Sequence, residues 1–181
     1  MDNKLTSTIA IITGAAQGIG AAIAQRFVQE GCFVYVTDVN DVLGRATVTA
    51  LGDRACYLDL DVRCEEDWQR VTTHVLKTHG RLDVVVNNAG ITGFEEGAVQ
   101  HDPEHASLED WRAVHRTNLD GVVLGCKYAI RAMRRTGTGS ISIFPPAPEW
   151  LVFLARLHMR RPRLPFAITP RRWRFTAPSR D

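Results

Sequence analysis

The stretch Thr13-Gly14-Ala15-Ala16-Gln17-Gly18-Ile19-Gly20 has the residue types and spacing to hold phosphate. Bare backbone at Gly14, Gly18 and Gly20 lets phosphate oxygens approach the chain closely. An apolar run, Ile9 to Ile12, comes before it and a helical pattern, Ala21 to Glu30, comes after. Strand, glycine turn and helix start form a cradle for a dinucleotide pyrophosphate, because a helix N-terminus offers unpaired N–H groups and a positive dipole end. Gly14, Gln17, Gly18, Ile19 and Gly20 are its candidate binding residues. Three further features can serve the same ligand. Asp38 follows an apolar run, 18 residues after Gly20. A carboxylate there can accept both hydroxyls of an adenosine ribose and would repel a 2′-phosphate, which favours NAD over NADP. Asp61-Val62 suits the adenine amino group and ring face. In Asn87-Asn88-Ala89-Gly90, small residues let backbone lie against a cofactor, and asparagine side chains can tie neighbouring strands together. The competing readings are a solvated loop acid for Asp38 and a turn aspartate for Asp61.

These residues need a scaffold that brings them to one edge. Ile9–Thr13, Phe33–Thr37, Ala55–Leu60 and Leu82–Val86 read as strands, and Ser140–Phe144 begins a fifth. Helical patterns lie between them. The first has Ala22, Ile23, Phe27 and Val28 inward. The second spans Val42 to Leu51. The third starts near Glu65, with Trp68, Val71, Val75 and Leu76 inward. A long helix over 108–134 is capped by Ser107, with Asp110 completing an acidic variant of the capping box and a break near Asp120-Gly121. Trp68 and Trp111 read as helix–sheet packing. Strands alternating with helices demand right-handed crossovers and a parallel sheet covered on both faces. The fold class is α/β, doubly wound and Rossmann-like, with strand order 3-2-1-4-5. Its crevice lies at the carboxyl ends near strands one and four, and all four features sit at the carboxyl ends of the first four strands.

The sequence resembles the short-chain dehydrogenase/reductase family. The resemblance rests on TGAAQGIG (13–20), Asp38, Asp61-Val62, NNAG (87–90) and DWRAVHRTNLDG (110–121), and covers about residues 5–143. It implies a nicotinamide-dependent oxidoreductase acting on a secondary alcohol or ketone, with a tetrad of Asn, Ser, Tyr and Lys. Tyr would be the general acid/base, Lys would lower its pKa, Ser would orient the substrate oxygen and Asn would hold a proton-relaying water. Asn118 matches the first member. The expected Ser-Ser pair falls on Pro145 and Pro146, and Ser142 lies too early, within the strand. No Tyr follows Tyr128 and no Lys follows Lys127. The stretch GVVLGCKYAIRAM (121–133) is similar to relatives acting on cyclic or steroid alcohols and to 3-oxoacyl reductases. The resemblance also implies a homo-oligomer in which helix 108–134 packs on a partner, an interface left incomplete here.

Composition divides the chain near Phe144. Residues 1–144 carry 14 Lys+Arg against 18 Asp+Glu; residues 145–181 carry 8 Arg, no Lys, 2 acids and 7 of the 8 prolines. The first part is the nucleotide-binding domain, and the second reads as an irregular or disordered tail that cannot bury a core. A shifted reading frame produces such a tail. Regrouped by one base, with permitted synonymous codons, residues 148–181 can spell YASSK, the missing Tyr-xxx-Lys, and 144–146 can spell Ser-Ser. The expectation is a frame change near codons 143–144, a truncated and catalytically impaired product, an unprotected edge at strand five, and low stability. Two other readings compete: a non-catalytic NAD-binding module, and a nucleic-acid binder using Arg interleaved with Trp150, Phe153, Phe166, Trp173 and Phe175.

The remaining composition narrows the class. No apolar stretch reaches the roughly 18 residues needed to span a bilayer, and residues 1–8 are polar, so the expected location is cytoplasmic. Cys32, Cys56, Cys64 and Cys126 form no CxxC pair and read as reduced. His101 and His105 are spaced i, i+4 but flank Pro103 with no completing ligands, so no metal is expected.

Overall fold

The central strands are short and mostly apolar because both of their faces are covered. The computed structural model describes residues 4–92 and 107–144 and the backbone of 172–176. In chain order the elements are β1 (Ile9–Thr13), α1 (Gly18–Gln29), β2 (Phe33–Asp38), α2 (Asp41–Leu51), β3 (Ala55–Asp59) and α3 (Glu65–His79). They continue with β4 (Val84–Asn87), α4 (Leu108–His115), a π-helical segment (Arg116–Asp120), α5 (Gly121–Met133), β5 (Thr138–Ile143) and β6 (Arg172–Thr176). The first five strands are parallel in the order β3-β2-β1-β4-β5. This is the doubly wound, Rossmann-like α/β sheet.

Alternation along each strand sorts the core into two layers. Ile9, Ile11, Tyr35 and Val85 face α3 and α5, where they meet Trp68, Val71, Val75, Tyr128, Ala129 and Met133. Ala10, Ile12, Val34, Val36 and Val86 face the other side, with Ala24, Ile23, Phe27, Val28, Val48 and Leu51. Each large side chain so buried contributes about 1.5–3 kcal/mol relative to exposure. Trp68 is fully buried, and its Nε1 donates to the Val62 carbonyl at 3.0 Å. That bond lets a polar indole sit in the core and pins the β3–α3 turn to α3.

Three expectations change. Ala24, not Ala22, is the buried alanine of α1; the close packing of Gly20 sets the helix rotation so that Ala22 faces out. Trp111 is 54% exposed and lies against the His115 ring at 4.2 Å, so it is not helix–sheet packing. The third concerns the edge. β6 pairs antiparallel with β5, from Thr138↔Thr176 to Ser142↔Arg172, so strand five is not an open edge and the tail is not irregular throughout. The alternation of β-formers in Arg172–Thr176 suits a strand, and unpaired backbone along β5 gives it a template. Pro145, Pro146 and the His101–His105 pair lie outside the described residues.

Ser107 caps α4 as expected, its hydroxyl accepting from Asp110 N–H at 3.0 Å, but the capping box does not close on the backbone: Asp110 Oδ2 accepts a hydrogen bond from that hydroxyl instead. Gly80 ends α3 in the left-handed conformation, with φ 70°. The expected break near Asp120-Gly121 is the π-helical segment, which keeps the long helix continuous. The cysteines among the described residues are free, and burial pushes the Cys32 thiol up to about 12. No helix among the described residues is long and apolar enough to cross a membrane.

At the amino end of β2, His79 Nε2 lies 3.0 Å from the Tyr35 hydroxyl and its ring lies 4.8 Å from Phe33. Burial, then the nearby His74, hold His79 below the usual imidazole range. Its folded pKa is therefore below its unfolded value of about 6.5. The unfolded chain binds the extra proton first, so this stabilisation is present above about pH 6.5 and is lost as pH falls. Melting followed by circular dichroism should give a Tm that drops from pH 7.5 to 5.5, with a shallower drop in His79→Phe. An equal drop in both proteins contradicts this account.

Candidate active site

The carboxyl ends of β1 and β4 meet at the point where strand order reverses. Thr13 closes β1, and its buried hydroxyl is saturated. It accepts from the N–H groups of Asn88 and Ala89, both at 3.0 Å, and donates to Val86 O at 3.4 Å. Asn88 Nδ2 donates back to Thr13 O at 2.9 Å and Gly14 O at 3.0 Å. The two loops are thereby laced together. Gly14 has φ 63°, and a Cβ there would lie 2.7 Å from Ala89 Cα. Only glycine allows that conformation and that approach together.

The far side of the loop is open. Gln17, Gly18 and Ile19 are exposed, Ile19 at 70%, while Gly20 is buried against Gly14 O. A Cβ on Gly18 would meet nothing within 4 Å. No side chain caps the N-terminus of α1 and its first turn carries no acid. Its leading N–H groups therefore remain available to an anion.

Asp38 ends β2 beside this loop. Its Oδ2 accepts from Ala16 N–H and its Oδ1 from Asn40 N–H, both at 3.0 Å. Each oxygen keeps a further lone pair. Its backbone is braced from below: the Tyr57 hydroxyl lies 2.8 Å from Asp38 O and 2.9 Å from Asp41 Oδ1. Burial, then the bond to Asp41, keep that phenol well above its usual range, so it remains a donor. The Tyr57 ring occupies the space a side chain on Gly44 would need, with its Cε2 2.1 Å from the hypothetical Cβ. Thr47 Oγ1 donates to Ala16 O at 2.7 Å, tying α2 to the glycine loop.

Residues 8–143 match the family model for short chain dehydrogenases. The chain belongs to the short-chain dehydrogenase family. It is 35% identical over 151 residues to a 3-beta-hydroxysteroid dehydrogenase from Comamonas testosteroni, covering 83% of this chain and 57% of that protein. It is 38% identical over 138 residues to tropinone reductase-like 1 from Erythroxylum coca, covering 76% and 50%. It is 40% identical over 139 residues to momilactone A synthase from Oryza sativa subsp. japonica, covering 76% and 49%. The chain thus spans about half the length of these relatives.

The remaining site residues of this short-chain dehydrogenase chain divide into engaged and open groups. Asn118 sits in the π-helical segment. Its Oδ1 accepts from Ile91 N–H at 2.9 Å and its Nδ2 donates to Ile91 O at 2.8 Å. The side chain holds the segment just after Gly90, which is exposed, and keeps one lone pair and one N–H beyond these bonds. A π segment rotates the helix locally, as such insertions do near functional sites. Val62 is 6% exposed, packed where Gly121 lacks a side chain. Asp61 is engaged by Arg63 through Nε and Nη2, and these bonds lead the causes holding its carboxyl below the usual range. Ser142 pairs opposite Val86, inside β5.

Gly44, Thr47, Tyr57 and Arg63 lie outside the site expected from the sequence, and Thr13, although it opens the glycine stretch, is not among its expected binding residues. Thr13 had a signal: it is the polar residue closing an apolar strand. Gly44 had another, since a glycine inside a helix costs about 1 kcal/mol and needs a reason. Replacing Thr13 by Val keeps its shape but leaves two backbone N–H groups unpaired. Urea denaturation of Thr13→Val should show a loss of about 1–3 kcal/mol, with Thr13→Ser close to wild type. Equal stability of Thr13→Val and wild type would show that the hydroxyl does not hold the seam.

Proposed function

We propose that this chain is an NAD-binding oxidoreductase by descent, of a kind that acts on secondary alcohols or ketones, and that its own turnover is absent or very weak. The observation that carries the cofactor reading is Asp38. Two backbone N–H groups aim its carboxylate at the mouth of the glycine loop, with acceptor capacity left for two ribose hydroxyls and no cation among its bonds to meet a 2′-phosphate. The residues fit a dinucleotide: the Gly14 cradle is one that a Cβ would fill, and the uncapped start of α1 is open to a pyrophosphate. When bound, NAD supplies the hydride acceptor. The chain's own residues bind and orient. The Gly18–Gly20 backbone meets phosphate, Asp38 meets ribose, Asp61 and Val62 border the base, and Asn118 fixes the Ile91 backbone beside Gly90. The names of the relatives support a hydroxysteroid or cyclic alcohol/ketone type of substrate, and the 3-oxoacyl type rests on the stretch 121–133 alone.

Weak turnover is supported by the sequence after β5. Residues 145–181 contain no Tyr and no Lys, and prolines stand at the Ser-Ser positions. A ketone oxygen then has no phenol to protonate it and no ammonium to tune that phenol. A reading-frame change near codon 144 accounts for the loss of all three groups together. Sequencing the gene tests it: a neighbouring frame that does not encode YASSK rejects the idea. A second reading, a non-catalytic NAD-binding partner of a full-length relative, is favoured by Leu108, Trp111, Leu119 and Val123. These stay exposed along the helical stretch implied to pack in a homo-oligomer.

Titration calorimetry should give NAD binding at least about tenfold tighter than NADP, equivalent to about 1.4 kcal/mol. Asp38→Ala should narrow the difference to about threefold or less by removing both the acceptor and the repulsion. Equal affinity for the two cofactors in wild type refutes the NAD assignment. NADH formation from a panel of steroid and cyclic alcohols, at rates typical of enzymes, refutes the impaired reading.

A further inference from the structure

Asp61 is placed by the nucleotide-site reading above at the base end of the site, and the inference here rests on that reading. A carboxylate with free lone pairs selects adenine, because the 6-amino group donates. The Asp61 carboxylate is not free. Arg63 Nε donates to Oδ1 at 2.9 Å and to Oδ2 at 3.1 Å, Arg63 Nη2 donates to Oδ2 at 2.7 Å, and the Arg63 backbone N–H donates to Oδ1 at 2.9 Å. A carboxylate has about four lone-pair sites, and three N–H groups, the single Nε hydrogen shared between the two oxygens, engage both oxygens and leave about one site open. The fork sits at the surface, with the Asp61 and Arg63 side chains 30% and 48% exposed.

The turn that carries the fork is held from behind. Asp67 Oδ2 accepts from Asp61 N–H at 3.0 Å. Arg70 Nη2 bonds Asp67 Oδ1 at 2.8 Å and Asp59 O at 2.7 Å. Cys64 N–H closes the turn on Asp61 O at 2.9 Å. Trp68 Nε1 fixes the Val62 carbonyl between the two forked residues. The fork is a fixed part of the β3–α3 turn, and Arg63 Nη1 takes no part in it.

We propose that Arg63 is a positioning residue that sets the base preference of the site. By occupying most of the acceptor sites of Asp61, on both oxygens, and presenting its own N–H groups, it makes the site accept a 6-oxopurine nucleotide about as well as an adenine nucleotide. A 6-oxo group accepts a hydrogen bond, so it suits a guanidinium edge and is repelled by a bare carboxylate.

Binding of NAD and of nicotinamide hypoxanthine dinucleotide to the full chain, measured by calorimetry, tests this. Wild type should bind the two within about threefold of each other. Arg63→Ala uncovers Asp61 and should favour NAD by about tenfold or more, the worth of one charge-assisted hydrogen bond. Arg63→Lys, which cannot fork, should move the ratio the same way. Adding Asp61→Asn to Arg63→Ala should return the ratio toward one. A wild-type preference for NAD of tenfold or more, or an unchanged ratio in Arg63→Ala, overturns the proposal. If wild type binds neither dinucleotide, the nucleotide-site reading itself falls and this proposal falls with it. NAD binding with the wrong ratio overturns only the role of Arg63.

Discussion

The lacing of β1 to β4 is the constraint on which the site depends. Strand order reverses at this junction: the crossover from β1 runs toward β2, while β4 continues toward β5. The two carboxyl ends diverge there and leave a crevice, the general ligand position in open α/β sheets. Diverging loops lose the regular ladder of backbone bonds, so side chains must satisfy their polar groups. Thr13 and Asn88 do this for one another's strands. The close contact of Gly14 with Ala89 follows from it. The same contact positions the start of α1.

Around that seam the structure adds braces rather than new elements. Tyr57 on β3 reaches under β2 to the Asp38 backbone, and α2 accommodates it by having no side chain at Gly44. Thr47 ties α2 to the loop itself. Asn118 plays the matching part on the β4 side, gripping Ile91 from the π-helical segment. Hydrogen bonds thus brace both banks of the crevice. Preorganised N–H groups bind an anion at little cost in ordering.

Most of the architecture could be read from the chain in order. Strands between helices of 11 to 15 residues admit few arrangements under right-handed crossovers, and the glycine turn after the first strand suits the order 3-2-1-4-5. The glycine loop, Asp38 and the Asn87–Gly90 turn follow strand ends, so the fold itself gathers them at one edge. Helix rotation was less legible. Ala22 and Ala24 are chemically identical, and only the packing of Gly20 against Gly14 decides which one faces the sheet. Trp111 was misread for a similar reason: an apolar residue at helical spacing does not say which face the neighbouring elements cover.

The sequence alone indicated the family and the glycine loop, because these depend on residue types at fixed local spacing. It also determined that residues 145–181 carry no Tyr and no Lys, since that is a matter of composition. Tertiary structure decided which polar groups are free and which are spent. Asp61 and Asn118 look available in the sequence, yet one is forked by Arg63 and the other clasps Ile91. The antiparallel seat of β6 on β5 was likewise set by a long-range pairing with a register that local propensity does not encode. Hydrogen-bond partners far apart in the chain are fixed only when folding brings them within reach.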